Sequence, residues 1–281
     1  MFKRVMVAVV GLPLLILILG WAPSWATMLL LAAMCAIGAW ELMRAAAGER
    51  GRPLIPLTVI AAALVPVCVY AEGSIENTEL TALPVLPLTA LLGAVLVLAL
   101  FVVSICRYGG ERAVPFAALT TAIFAGLVFP LMLSCMLRLR MVPYIGMLLV
   151  FFPLCISFGS DTFAFFAGLL FGKHKLTPVS PKKTVEGAIG GLIGGVIGMM
   201  IMPFVGGMVI SDAFMSPTMA VAFGLLGSVV SQIGDLSFSV IKREFGVKDY
   251  GNLLPGHGGI LDRFDSVTFV APFVWLLLEL I

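Results

Sequence analysis

Long apolar runs separated by short charged loops repeat along almost the whole chain. A hydrocarbon layer about 30 Å thick needs about 20 apolar helical residues at ~1.5 Å each. On that basis the pattern predicts about nine membrane-spanning helices. They run over about Val5–Trp21, Trp25–Leu42, Pro53–Tyr70, Leu83–Cys106, Ala113–Met136, Val142–Phe171, Val185–Ile210, Met215–Ile241 and Phe264–Ile281. The first run has Lys3 and Arg4 ahead of it and small residues behind it, which resembles a secretory leader. A second apolar run follows at once, so we read the first as a retained span. The sixth run is too long for one simple span, and Pro153 with the polar Ser157, Ser160 and Asp161 predicts a break in it. In the seventh, Gly187, Gly191 and Gly195 repeat at four, as do Gly190, Gly194 and Gly198. Two such rows on adjacent faces let neighbouring helices approach closely.

Composition agrees with the pattern. The chain is 61% hydrophobic, with a mean hydropathy of +1.14, against roughly 45–50% apolar content in soluble domains. The fold class is therefore all-α, a polytopic integral membrane protein. The net charge of +2 says little by itself about partners, and no nucleic-acid partner is expected. Cys35, Cys68, Cys106, Cys135 and Cys155 all lie in apolar runs without metal-site spacing and read as packing residues.

The distribution of charge is more informative than its sum. With the amino terminus in the cytoplasm, only Arg138 and Arg140 of the 17 Lys and Arg residues fall on the far side, as the positive-inside rule requires. Residues 1–140 then read as a scaffold of N-terminal spans. Residues 141–281 read as a catalytic region with cytoplasmic loops over 172–184 and 242–263 and a polar cleft facing the cytoplasm.

Three patches are more polar than loops require. Asp161, four residues after Ser157, is an ionisable group inside an apolar run. Ser180-Pro-Lys182-Lys183-Thr184 places paired lysines and a hydroxyl ahead of a helix start, a seat for phosphate or simply a topology signal. The third patch is Gly234–Ser266. On a helix, Asp235, Ser239, Lys242 and Arg243 share a face, as do Asp262, Asp265 and Ser266 on the next. Between them Pro255-Gly256-His257-Gly258-Gly259 forms a turn whose backbone N–H groups can meet an anion. Carboxylates without a His or Cys cluster suit Mg²⁺, which takes one or two of them plus substrate phosphates. This combination describes a site for a polyphosphate under attack.

The residues Ser239-x-Ile241-Lys242-Arg243, Lys248-Asp249-x-Gly251 and Leu254-Pro255-x-His257-Gly258-Gly259-Ile260-x-Asp262-Arg263-Phe264-Asp265 resemble the signature of the phosphatidate cytidylyltransferase (CDP-diacylglycerol synthase) family. The resemblance extends more loosely to Asp161-Thr162, to Ser180–Gly187 and to Gly234-Asp235. It implies transfer of the cytidylyl group of CTP to phosphatidic acid, giving CDP-diacylglycerol and pyrophosphate with Mg²⁺. It points to Asp235 and Asp262 as metal ligands, with Asp265 auxiliary. Lys242, Arg243, Lys248 and Arg263 would neutralise phosphates, and Ser180, Lys182, Lys183, Ser239 and Asp161 would line the substrate site. The Gly258-Gly259 turn would cradle pyrophosphate, with His257 donating to it. Membrane lipid is the expected surround, in the inner (cytoplasmic) membrane of a bacterium, while a second, monovalent cation and a homodimer are left open. The alternatives are a CTP-dependent lipid kinase, which would release CDP, and a transporter, which would carry paired broken spans.

Overall fold

A computed structural model describes residues 2–76, 87–110, 113–210, 214–253 and 258–280, with the side chains of 2–10 and 76 left aside. Among these residues there is no strand, only an isolated bridge between Lys175 and Thr184. The helices are α1 (Phe2–Gly20), α2 (Ser24–Ala46), α3 (Gly48–Gly51), α4 (Ile55–Glu76), α5 (Leu88–Cys106), α6 (Phe116–Ile123), α7 (Phe129–Met141), α8 (Gly146–Leu149), α9 (Phe152–Phe171), α10 (Val185–Val209), α11 (Pro217–Glu244) and α12 (Leu261–Glu279).

Among the described residues seven helical segments are long and apolar enough to cross a membrane, and the chain is an integral membrane protein. The seven correspond to the second to eighth of the expected nine, and the two end spans fall on α1 and α12. Among the described residues the first run offers only the shorter apolar helix Gly11–Gly20. The last helix, α12, starts earlier than the expected span, with Asp262 and Arg263 in its first turn ahead of Phe264 and with Asp265 and Glu279 beyond it.

The chain divides into two compact units, Met1–Met141 with Phe245–Arg263, and Val142–Glu244 with Phe264–Ile281. In the first, α2, α4 and α7 pack together around fully buried Leu31, Leu42, Leu54, Phe129 and Leu133. The apolar run Phe116–Met141 is one helix interrupted by a π turn over Phe124–Val128. Pro130 explains the interruption, because it has no N–H for the carbonyl four residues back and its ring needs room there.

One end of this unit is closed by polar clasps. Glu72 accepts from the backbone N–H and the hydroxyl of Thr89 at 2.7 and 3.0 Å and pairs with Arg138 at 3.5 Å. Arg140 donates to the carbonyl of Ala22 at 2.8 Å. These contacts gather the end of α4, the start of α5, the end of α7 and the link between α1 and α2.

The second unit is built on α9, α10 and α11, and here the glycine rows divide the work. Gly190, Gly194 and Gly198 lie against Phe163, Gly159 and Cys155 of α9, while Gly191 and Gly195 face Gln232 and Ser228 of α11. Gly187 joins the α9 side, against Ala164 and Gly168. The expected break in the sixth run falls between α8 and α9, with Pro153 in the first turn of α9. Ser157, Ser160 and Asp161 therefore lie on unbroken helix, because a proline in a first turn has no intrahelical donor to lose.

Candidate active site

In the second unit, Thr184 caps α10, its hydroxyl accepting from the N–H of Gly187 at 3.1 Å, as a residue with a side-chain oxygen does at a helix start. The preceding loop closes on itself. The N–H of Leu176 donates to the carbonyl of Lys183 at 3.0 Å, and that of Val185 to the carbonyl of His174 at 2.9 Å. Glu186, in the first turn of α10, accepts from the N–H groups of Lys173 and His174 at 3.1 and 3.3 Å and meets the His174 ring at 2.6 Å. Arg243 at the end of α11 donates to the carbonyl of Val179 at 3.3 Å. The loop is thus fastened at both flanks, which aims its central lysines.

Those lysines face a cavity of about 460 Å³. Its polar wall is formed by Ser180, Lys182, Lys183, Asp161, Gln232 and Asp235, and its apolar wall by Ala164, Phe165, Leu169 and Leu176. Phe165 and Leu169 also stand exposed on the outer face of α9, at 65% and 69%, so this wall continues into a surface suited to lipid. Lys183 forms an ion pair with Asp235, and Ser239 donates to the other oxygen of Asp235 at 3.4 Å. Asp265 is buried, accepting from the N–H of Ser266 at 2.7 Å, and lies within electrostatic reach of Asp235, Lys242 and Asp161. The structure thus brings together Asp161, Ser180, Lys182, Lys183, Asp235, Ser239, Lys242, Arg243 and Asp265 within one unit.

The remaining signature residues belong to the first unit. Asp262 accepts on one oxygen, Oδ2, from the N–H groups of Tyr250 and Gly259 at 2.9 and 3.0 Å. The N–H of Gly259 is therefore turned to Asp262, not offered to an anion. Gly258 has φ +87°, a conformation that glycine alone adopts without strain. Arg263 and Lys248 are exposed, and His257 lies outside the described residues.

The donor set bears on a metal. Among the described residues no group of three or more His, Cys, Asp or Glu side chains is placed to hold an ion by itself. Carboxylates of this kind fit Mg²⁺, whose shell one or two of them share with water and phosphate oxygens.

Sequence reasoning gave no role to Glu41, Glu186, His174 or Gln232. Gln232 donates to the carbonyl of Ala188 at 3.1 Å. Glu41 is fully buried and accepts from the N–H groups of Ile260 and Leu261 at 3.2 and 3.0 Å. A signal for it existed: it is an ionisable residue at the edge of the second apolar run.

The chain is similar to several proteins named phosphatidate cytidylyltransferase. The one from Bacillus subtilis is 39% identical over 160 residues, 57% of this chain and 56% of the relative. Those from Staphylococcus saprophyticus and Staphylococcus aureus are 46% and 44% identical over 134 residues, 47% of this chain and 50% of each relative. The similarity thus spans about half the length of these curated relatives. The sequence model of the cytidylyltransferase family, by contrast, matches residues 2–281, and the chain belongs to that family.

Proposed function

We propose that this protein is a phosphatidate cytidylyltransferase, transferring the cytidylyl group of CTP to phosphatidic acid to give CDP-diacylglycerol and pyrophosphate. The observation that carries the proposal is the cavity of the second unit, with paired lysines and Asp235 on one wall and the lipid-exposed Phe165 and Leu169 on the other. A soluble nucleotide needs the first wall, and a diacyl lipid needs both. The names of the similar bacterial proteins support the same reading.

An oxygen of the phosphatidate monoester attacks the α-phosphorus of CTP. The new O–P bond forms as the bond to the bridging oxygen breaks, and pyrophosphate leaves with that electron pair. The monoester carries about 1.5–2 negative charges at neutral pH, so it needs no base to become a nucleophile. Relief from repulsion is the requirement, and positioning with charge stabilisation supplies most of the rate in such transfers.

Lys182 and Lys183 bind and orient phosphates from the fastened loop. Lys242, Arg243, Lys248 and Arg263 neutralise charge at the signature. Mg²⁺, held by Asp235 and Asp262 as the family resemblance implies, would supply charge neutralisation on the phosphate oxygens. Asp235 is paired with Lys183, so that lysine would move to a substrate phosphate when Asp235 takes a cation.

We further place the reaction on the cytoplasmic face of a bacterial inner membrane. Arg140 meets Ala22 beside the start of α2, whereas Glu41 meets the signature. The helix between them rises about 25 Å, most of a bilayer, which separates the signature from the two arginines expected outside.

Purified protein with CTP, Mg²⁺ and phosphatidate in mixed micelles should release pyrophosphate and form CDP-diacylglycerol. Release of CDP instead would make it a lipid kinase and overturn the proposal.

A further inference from the structure

A carboxylate buried in an apolar helix is costly unless hydrogen bonds compensate it. Glu41 of α2 has no exposed surface, and its two oxygens each accept one backbone N–H, from Ile260 and from Leu261. These are donors at the start of α12, where the first N–H groups lack partners in the helix and the helix end favours negative charge. A methyl group added at Gly251 or Gly259 would collide with the Glu41 carboxylate, and Leu261 packs into the notch at Gly38, one turn earlier on α2. Gly259 in turn donates to Asp262, which also holds Tyr250. Glu41 and Asp262 thus hold the backbone from Gly259 to Leu261 from two sides, one from α2 and one from α12.

Glu72 offers an internal comparison. It is a carboxylate in the same unit, 7% exposed, which likewise accepts the backbone N–H at a helix start, that of Thr89 on α5. Its partners among the described residues, Thr89 and Arg138, lie outside the signature.

We propose that Glu41 is a positioning residue of the reaction: its carboxylate fixes the backbone from Gly259 to Leu261 and thereby the orientation of Asp262. The inference rests on the proposed function, because it treats Asp262 as part of the machinery. Glu41→Gln preserves the shape but turns an amide group towards one of the two N–H donors.

The full-length protein, as parent, Glu41→Gln and Glu72→Gln, is compared in detergent by amide hydrogen exchange, thermal unfolding and CDP-diacylglycerol synthesis. In Glu41→Gln, exchange over residues 258–263 should quicken about tenfold or more, as expected for loss of a hydrogen bond to a charged acceptor. Its kcat should fall about tenfold to a hundredfold, with KM for CTP and phosphatidate within about twofold of the parent. Glu72→Gln should keep the parental kcat even where its loss of thermal stability is equal. Unchanged exchange at 258–263 overturns the proposal. So does a parental kcat in Glu41→Gln, or an equal loss of kcat in Glu72→Gln. The exchange arm needs no turnover, so a parent that makes no CDP-diacylglycerol refutes the functional reading separately.

Discussion

Replacing Asp262 by asparagine keeps the shape of an acceptor and removes its charge, which separates the backbone clamp that the structure shows from the proposed metal role. An asparagine Oδ1 in the place of the present Oδ2 would still accept from Tyr250 and Gly259. A hydrogen bond to a charged group contributes about 1.5–3 kcal/mol and a neutral one about 0.5–1.5 kcal/mol. Converting two bonds from the first kind to the second should cost about 2–3 kcal/mol. Asp262→Ala removes the acceptor of both bonds, so its cost is about 3–6 kcal/mol on the same scale. Catalysis should rank the variants differently. If the carboxylate helps to hold Mg²⁺ against the substrate phosphates, asparagine and alanine lose it alike, at about 10²–10³ in kcat for one preorganised electrostatic partner. The check is CDP-diacylglycerol formation at saturating substrates beside thermal unfolding of the same preparations. The expected result is two nearly inactive proteins of clearly different stability. An asparagine variant that turns over within about threefold of the parent, far short of the expected loss, would reduce Asp262 to a backbone clamp and refute the metal role.

Lys183→Met removes the partner of Asp235 and should raise KM for one substrate about tenfold with little change in kcat, the mark of uniform binding; steady-state kinetics that show the reverse would assign the lysine to the transition state. Thr184→Ala should lower stability by about 1 kcal/mol through loss of the cap on α10, and Thr184→Ser should restore most of it, as followed by thermal unfolding in detergent. Gly194→Ala, which drives a methyl into Gly159 and Phe163, should cost about 1–3 kcal/mol by overpacking. Gly207→Ala on the same helix, with no atom in its way, should gain about 0.5–1 kcal/mol, and the opposite order would refute the account of the glycine rows.

The helices were legible because bilayer thickness and backbone hydrogen bonding leave a chain this apolar few alternatives. The glycine rows were equally legible, since glycine repeating every four residues in an apolar helix serves close packing. What each row packs against was not, because Gly191 and Gly190 differ only in which neighbour they face. Candidate chemistry divided in the same way. The charges at Asp235, Lys183 and Asp262 stand out against an apolar chain, but their partners depend on tertiary approach. The pairing of Lys183 with Asp235 spans 52 residues, and that of Leu261 with Glu41 spans 220. Glu41 lies inside the expected second run, one residue before its end at Leu42, and α2 continues to Ala46; what escaped notice was its partner, 220 residues away. A rule that treats every ionisable residue in or beside a span as functional would have found it beside Asp161.

The close packing of α9 and α10 also explains why the cavity exists. Gly168 and Gly187 both line it, at the end of the seam where the two backbones lie nearly in contact. Helices this close leave no room between them for side chains, so the cavity must open beyond the seam, where the loop before α10 leaves the helix pair. That loop begins at Gly172 and returns through the cap at Thr184, which sets its lysines directly above the gap. The exposed Phe165 and Leu169 border the same gap. Gly187→Val should therefore act twice, narrowing the cavity and prying α10 from Ala164. Its loss of activity should exceed that of Gly194→Val at equal loss of thermal stability, because only the first also narrows the cavity. Activity losses that simply follow stability in both variants would separate the glycine seam from the site.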